Sequence, residues 1–210
     1  MPISPKKSLT NICEEIKFCK KCLDLSSLRK QSVPGSGAAS AKLIIAGYYP
    51  SDKGAEIDGV PFTNDQEGKL IRKVIKEVGL STEKDTFLTY LVKCTPRREN
   101  TGGAPETSGP VKPSPAHVSN CINYFTEEIS ITTPHLIISL GLSASSIILE
   151  RFFSIEKKYE DMSKLHMRLF ENPSFKLIPF YHPKDVTSGA ITEEKYLEDF
   201  KTLSRLFTII

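Results

Sequence analysis

The chain has 210 residues, 39% of them hydrophobic, with a mean hydropathy of -0.21, enough to bury one sizeable core and too little for two, so one domain over 1–210 is expected. Lys and Arg exceed Asp and Glu by 28 to 25, and a net charge of +3 is too small to mark a nucleic-acid partner by itself; a DNA-binding face has to be a local patch. Residues 1–7 lack the apolar stretch of a secretory signal and the longest apolar runs are strand-sized, short of the roughly 20 residues a bilayer requires, so a cytoplasmic, monomeric protein with no membrane partner is expected.

Leu9, Ile12, Cys13 and Ile16 recur at helical spacing, which predicts an amphipathic helix over 8–18 that delivers Cys19 and Cys22 at its end. Val33-Pro34-Gly35-Ser36-Gly37 is turn chemistry, and the apolar run that follows, closed by Gly47, reads as a buried strand over 42–47. Leu70, Ile71, Val74, Ile75 and Val78 share one face of a helix over 67–79 with a C-capping glycine. A second strand is expected over 86–92, and 95–115, rich in proline and glycine, reads as a flexible surface insertion. A helix over 116–130, a third buried strand over 135–141, a helix over 143–152, a fourth strand over 175–181 and a closing amphipathic helix over 193–206 complete the chain.

Strands apolar on both faces and alternating with helices predict an α/β fold, a parallel sheet covered on two sides. In such sheets the ligand crevice lies beyond the carboxyl ends of the strands. That rule selects 47–52, 93–96, 141–143 and 181–185.

Five cysteines in a chain with no export signal argue for a metal or redox role over a disulfide framework. Cys19-Lys20-Lys21-Cys22 has the two-residue bite with which two thiolates hold one metal or one cluster edge. Cys94 follows the second strand and Cys121 opens a helix beyond the insertion, so a four-ligand centre requires three separated segments to meet. Zinc suits four thiolates as well as an iron-sulfur cluster does, and a free cysteine is also commonly a small buried side chain. Cys13, on a face with Leu9 and Ile16, reads as core.

These segments, taken in order, resemble the family 4, iron-sulfur, uracil-DNA glycosylases. The resemblance is carried by Cys19-x2-Cys22-x-Asp24-Leu25, Arg29, 33–37, Gly47 with Pro50, Asp58-Gly59-Val60-Pro61-Phe62, Gly68-Lys69-Leu70, Glu77-Val78-Gly79-Leu80, Leu91-Val92-Lys93-Cys94-Thr95-Pro96, Cys121, 134–141, Ala144 and Tyr181-His182-Pro183. It implies a three-layer α/β/α sandwich on a four-stranded parallel sheet, a [4Fe-4S] cluster on Cys19, Cys22, Cys94 and Cys121, no nucleotide cofactor, and DNA, single- or double-stranded, as partner. It also implies base flipping, because a base inside a duplex is out of reach of an active site. Phe62 matches the family's aromatic that stacks on the flipped base. His182 matches the histidine that donates a hydrogen bond where charge develops on the departing pyrimidine. Lys93, Arg97, Arg98, Ser143, Lys184 and Asp185 are candidates for a rim that contacts the DNA backbone.

Two departures are visible. The family's Gly-Glu-x-Pro-Gly is Gly47-Tyr48-Tyr49-Pro50-Ser51 here, and the segment after it is one residue longer, so the carboxylate that acts on water or on the oxocarbenium-like sugar is sought among Asp52, Glu56 and Asp58. Tyr90 stands where the family has an asparagine, and a hydroxyl cannot offer the paired donor and acceptor of an amide. With Tyr48, Tyr49, Phe62 and Tyr90 as the base-binding set, the expected activity is a DNA glycosylase acting on uracil or on a modified pyrimidine, in DNA repair or in defence against phage with modified DNA. A catalytically altered iron-sulfur DNA-binding protein of the same fold is the alternative.

Overall fold

A computed structural model describes residues 7–97 and 111–207, with side chains to 203. The first helix, α1 (Leu9–Phe18), is capped by the Ser8 side chain, which accepts the Asn11 N–H. It ends at Cys19, whose extended backbone starts a short bridge to α2 (Leu23–Leu28), capped by Cys22. Then come β1 (Ser36–Gly37), β2 (Leu43–Gly47), α3 (Gln66–Glu77), β3 (Thr86–Tyr90) and α4 (Pro115–Thr132). The chain closes with β4 (Leu136–Leu140), α5 (Leu142–Phe153), β5 (Phe170–Glu171), β6 (Lys176–Phe180), α6 (Pro183–Thr187) and α7 (Glu193–Phe207).

The sheet runs β1-β3-β2-β4-β6-β5. Its four central strands are parallel and in register, with Gly47 beside Tyr90 and Leu140 beside Phe180. The four-stranded expectation therefore holds for the core, while β1 and β5 add two-residue antiparallel pairings at the edges. Every residue of β2, β3 and β4 is buried, as a sheet with helices on both faces requires.

One face of the sheet, with Ile45, Leu88 and Ile138, packs on Leu70, Ile71 and Val74 of α3 and on Tyr196 and Phe200 of α7. The other, with Ile44, Phe87 and Ile137, packs on Phe125 of α4 and Ile148 of α5. A third cluster joins Ile12 and Ile16 of α1 to Val92, Cys94, Val118, Cys121 and Tyr124, so the N-terminal helices form a cap over α4 and the end of β3. Each fully buried aliphatic side chain contributes about 1.5–3 kcal/mol, enough to hold this cap in place. Among the described residues no helix is long and apolar enough to cross a membrane. Most of the 95–115 insertion, including Arg98, lies outside the described residues.

Candidate active site and cysteine centre

The carboxyl ends of the parallel strands open on a cleft of about 960 Å³ walled by 48–53, Phe62, Asp65, Glu67, Gly68, Tyr90, 140–143 and 182–185. Three of the four loops chosen by the crevice rule line it directly, and Thr95 and Pro96 represent the fourth.

His182 caps α6. Its Nδ1 accepts the Lys184 N–H at 3.1 Å, and its own N–H donates to Asp185 Oδ2 at 3.0 Å. Gly141, at φ +83°, lies against the imidazole: a Cβ there would come within 3.1 Å of His182 Cβ and 3.2 Å of Cδ2. Burial lowers the His182 pKa even though Asp185 pulls the other way. The ring is therefore neutral near pH 7, and with Nδ1 accepting, its proton sits on Nε2, the nitrogen left for the cleft.

Phe62 is buried and holds φ at 54°, a left-handed backbone that costs a bulky residue about 1–2 kcal/mol. Three hydrogen bonds fasten Pro61 and Phe62: Arg72 Nε and Nη2 donate to their carbonyls at 2.7 and 2.8 Å, and the Phe62 N–H donates to Tyr90 Oη at 3.2 Å. The Phe62 and Tyr90 rings lie 4.7 Å apart with a 34° tilt. The Tyr90 hydroxyl, its pKa raised by burial, is thus engaged within the protein and presents no paired donor and acceptor to a base. Tyr48 donates to the Pro113 carbonyl at 3.1 Å and meets Tyr49 edge-on at 5.2 Å, and both line the cleft.

The candidate carboxylates separate. Asp52 is exposed and lines the cleft. Glu56 is fully buried and is bound by Arg97 and by the Lys30 N–H; it anchors a loop and cannot reach a water in the cleft. Asp58 turns onto its own loop, accepting the Val60 N–H at 3.0 Å and the Thr63 hydroxyl at 2.8 Å, and does not line the cleft. Glu67, which the motif reading passed over, does line it. Its carboxylate lies 3.9 Å from His182 Nδ1 and, among the described residues, accepts no hydrogen bond. Burial raises its pKa, with Asp65 adding to the shift. A signal was present: Glu67 is the polar member of the stripe formed by Leu70, Ile71, Val74 and Ile75.

The basic rim also separates. Lys93 is 1% exposed, with Nζ 2.8 Å from both oxygens of Glu128 and 2.5 Å from Thr89 Oγ1, so it is a structural cation and not a phosphate contact. Arg97 is spent on Glu56 and on the Leu28 carbonyl at 2.8 Å. Ser143 and the exposed Lys184 remain at the cleft, joined by Lys53 and Lys112.

Cys19, Cys22, Cys94 and Cys121 are free thiols lining one cavity of about 20 Å³ together with Ile16, Leu25 and Val92. Cys121 lies in the second turn of α4, not at the start of a helix. N–H donors reach three of the sulfurs: Arg29 Nη1 to Cys94 at 2.9 Å, Lys93 N to Cys121 at 3.2 Å and Asn120 Nδ2 to Cys22 at 3.5 Å. Such donors suit thiolate ligands. Burial pushes the Cys94 thiol up and the Cys121 thiol to about 12, so a metal centre has to displace these protons. Cys13 is outside this cavity, with Sγ 3.7 Å from the Gly35 carbonyl oxygen. The cysteine cavity and the cleft are neighbours along the chain, since Cys94 precedes Thr95 of the cleft wall.

The chain resembles known proteins along nearly its whole length. It is 28% identical over 204 residues to the type-4 uracil-DNA glycosylase of Archaeoglobus fulgidus, covering 95% of this chain and 94% of the relative. It is 31% identical over 199 residues to that of Saccharolobus solfataricus, with 92% and 84% covered, and 30% identical over 204 residues to that of Sulfurisphaera tokodaii, with 95% and 84% covered. Residues 34–202, from the turn ahead of β1 into α7, match the family described as the uracil DNA glycosylase superfamily, and the chain belongs to that superfamily.

Proposed function

We propose that this protein is a DNA N-glycosylase that takes one nucleotide out of the stack into the cleft above β2, β3, β4 and β6 and hydrolyses the bond between base and deoxyribose. The observation that carries the reading is His182: a neutral imidazole fixed by the Lys184 N–H and by Gly141, with Nε2–H left for the cleft. As the C1′–N bond breaks, its electron pair passes to the base, and a fixed donor at the pyrimidine O2 stabilises that charge as it forms. The sugar becomes an oxocarbenium ion. A carboxylate stabilises it and takes a proton from the water that adds to C1′; Asp52 and Glu67, both lining the cleft, are the candidates for this role. The products are free base and an abasic site. Ser143, Lys53, Lys112 and Lys184 contact backbone phosphates.

Cys19, Cys22, Cys94 and Cys121 would hold a [4Fe-4S] cluster. The all-sulfur donor set and the N–H···S contacts support it over isolated buried thiols. Bound there, the cluster supplies a covalent cross-link between the N-terminal cap, the end of β3 and α4, and no step of the hydrolysis passes through it.

Uracil is the base to which the relatives' names point. A second reading, excision of a larger modified pyrimidine in defence against phage DNA, is favoured by Tyr90, whose oxygen accepts the Phe62 N–H and which lacks the paired donor and acceptor with which an amide reads a uracil edge. Base release from DNAs bearing uracil, deaminated purines or hypermodified cytosines tests both. Release of uracil supports the first, release of a modified cytosine with uracil left intact supports the second, and silence across the panel with DNA affinity retained assigns the chain to the DNA-binding alternative.

A further inference from the structure

Outside the cleft, two side chains converge on the residue that precedes His182, and a third backs one of them. The Tyr181 N–H donates to His166 Nδ1 at 3.3 Å, and the Tyr181 carbonyl accepts from the Tyr196 hydroxyl at 3.1 Å. On its far side, His166 Nε2 lies 3.0 Å from Asp199 Oδ2, and Lys195 Nζ lies 2.6 Å from Asp199 Oδ1. None of His166, Tyr196 and Asp199 lines the cleft.

The chemistry of this arrangement has one solution. Nδ1 must accept to receive the Tyr181 N–H, so a neutral His166 carries its proton on Nε2 and donates it to Asp199. Burial lowers the His166 pKa against the pull of Asp199, which keeps the ring in that neutral form. The ring is also packed, 4.2 Å from Tyr181 and 4.9 Å from Phe180. Tyr196 and Asp199, one turn apart on α7, are 0% and 6% exposed. Both backbone polar groups of Tyr181 are therefore held by side chains from elements remote in sequence, where a loop leaving a strand would ordinarily leave them to water.

We propose that His166, oriented by Asp199 and assisted by Tyr196, is a positioning residue for His182. The clamp fixes where β6 hands the chain to α6, and thereby the direction in which His182 presents Nε2–H to the base. The inference rests on the role given to His182 above. Catalysis by a fixed donor tolerates little displacement, since an error of about 1 Å in a reacting group costs on the order of a hundredfold in rate.

The test uses the full chain with its iron-sulfur content verified, and measures single-turnover base release and DNA affinity separately. His166→Phe keeps a ring of similar shape and removes the acceptor; the excision rate constant should fall roughly 10- to 100-fold while DNA affinity stays within about twofold. His166→Asn, whose Oδ1 can stand in for Nδ1, should recover most of that loss. Tyr196→Phe removes a single hydroxyl and should reduce the rate without changing affinity, which keeps the proposal testable if His166→Phe fails to fold. Excision at the wild-type rate by either Phe variant, an Asn variant no better than the Phe one, or a loss confined to affinity overturns the clamp and leaves the glycosylase reading intact. A wild-type protein that releases no base from any substrate overturns both.

Discussion

Lys93 is the sharpest place to test the separation of structural from DNA-facing charge. Its ammonium and the Glu128 carboxylate are each 1% exposed and meet at 2.8 Å, with Thr89 and the Gly35 N–H completing the carboxylate's partners. Lys93→Met leaves the Glu128 charge buried without its cation, a change that costs about 3–5 kcal/mol. For a chain of this size each kcal/mol moves the melting temperature by about 2–4 °C, so a fall of roughly 6–20 °C is expected. The companion double variant, Lys93→Met with Glu128→Leu, removes both charges and should recover most of that loss. Thermal melting is read beside DNA affinity as a function of salt, at a temperature where each variant is folded. A phosphate contact would lower the salt slope by about 1, whereas a structural lysine leaves it unchanged. A melting temperature within about 2 °C of wild type, or a slope reduced by about 1, refutes the assignment.

Glu67→Gln should slow base release about 10- to 100-fold with DNA affinity preserved. The half-buried carboxyl, its pKa raised by desolvation and by Asp65 and Asp185 against the opposing pull of Lys184, loses its charge as pH falls through a value above the ordinary 4.3 or so, so wild-type activity should show an acidic limb there that the Gln variant lacks. A raised carboxyl pKa works against folding once pH exceeds the unfolded value, so the same variant should be at least as stable as wild type at neutral pH in a melting experiment. Tyr90→Phe strips the acceptor from the Phe62 N–H and should cost about 1–3 kcal/mol in denaturant unfolding. Cys121→Ala should lose bound iron and the visible absorbance of the purified protein, whereas Cys13→Ser should keep both, as measured by metal analysis.

The strands were legible because each is a short apolar run closed by a glycine or turn, and the cleft lies at their carboxyl ends, where the topology of a parallel sheet puts it. The cysteines were legible by type and by the spacing of Cys19 and Cys22, and folding brought Cys94 and Cys121 to the same cavity. Charges were where motif reading failed, for a common physical reason. Lys93 continues the alternation of Phe87, Thr89 and Leu91 on the face that meets α4, and Glu128 belongs to the buried stripe of Cys121, Ile122, Phe125, Ile129 and Thr132. A charged residue in phase with an apolar stripe is either paired or functional. Applied to Glu67, the same rule marks a cleft carboxylate; applied to Lys93 and Glu128, an ion pair. Arg97 and Glu56 carried no such phase, because both sit in loops whose path is set by tertiary contacts. The positive φ of Phe62 and the three backbone hydrogen bonds of Pro61 and Phe62 likewise depend on Arg72 and Tyr90 arriving from other elements.

Single-turnover base release by wild type and by His182→Ala tests most directly whether a neutral His182 acts on a base held in this cleft. On whichever base of the panel the wild type releases, the variant should be slower by about 10²–10³-fold with DNA affinity unchanged, as for the loss of one preorganised donor. Release by the variant at the wild-type rate, or no abasic product from the wild type on any base, would contradict it.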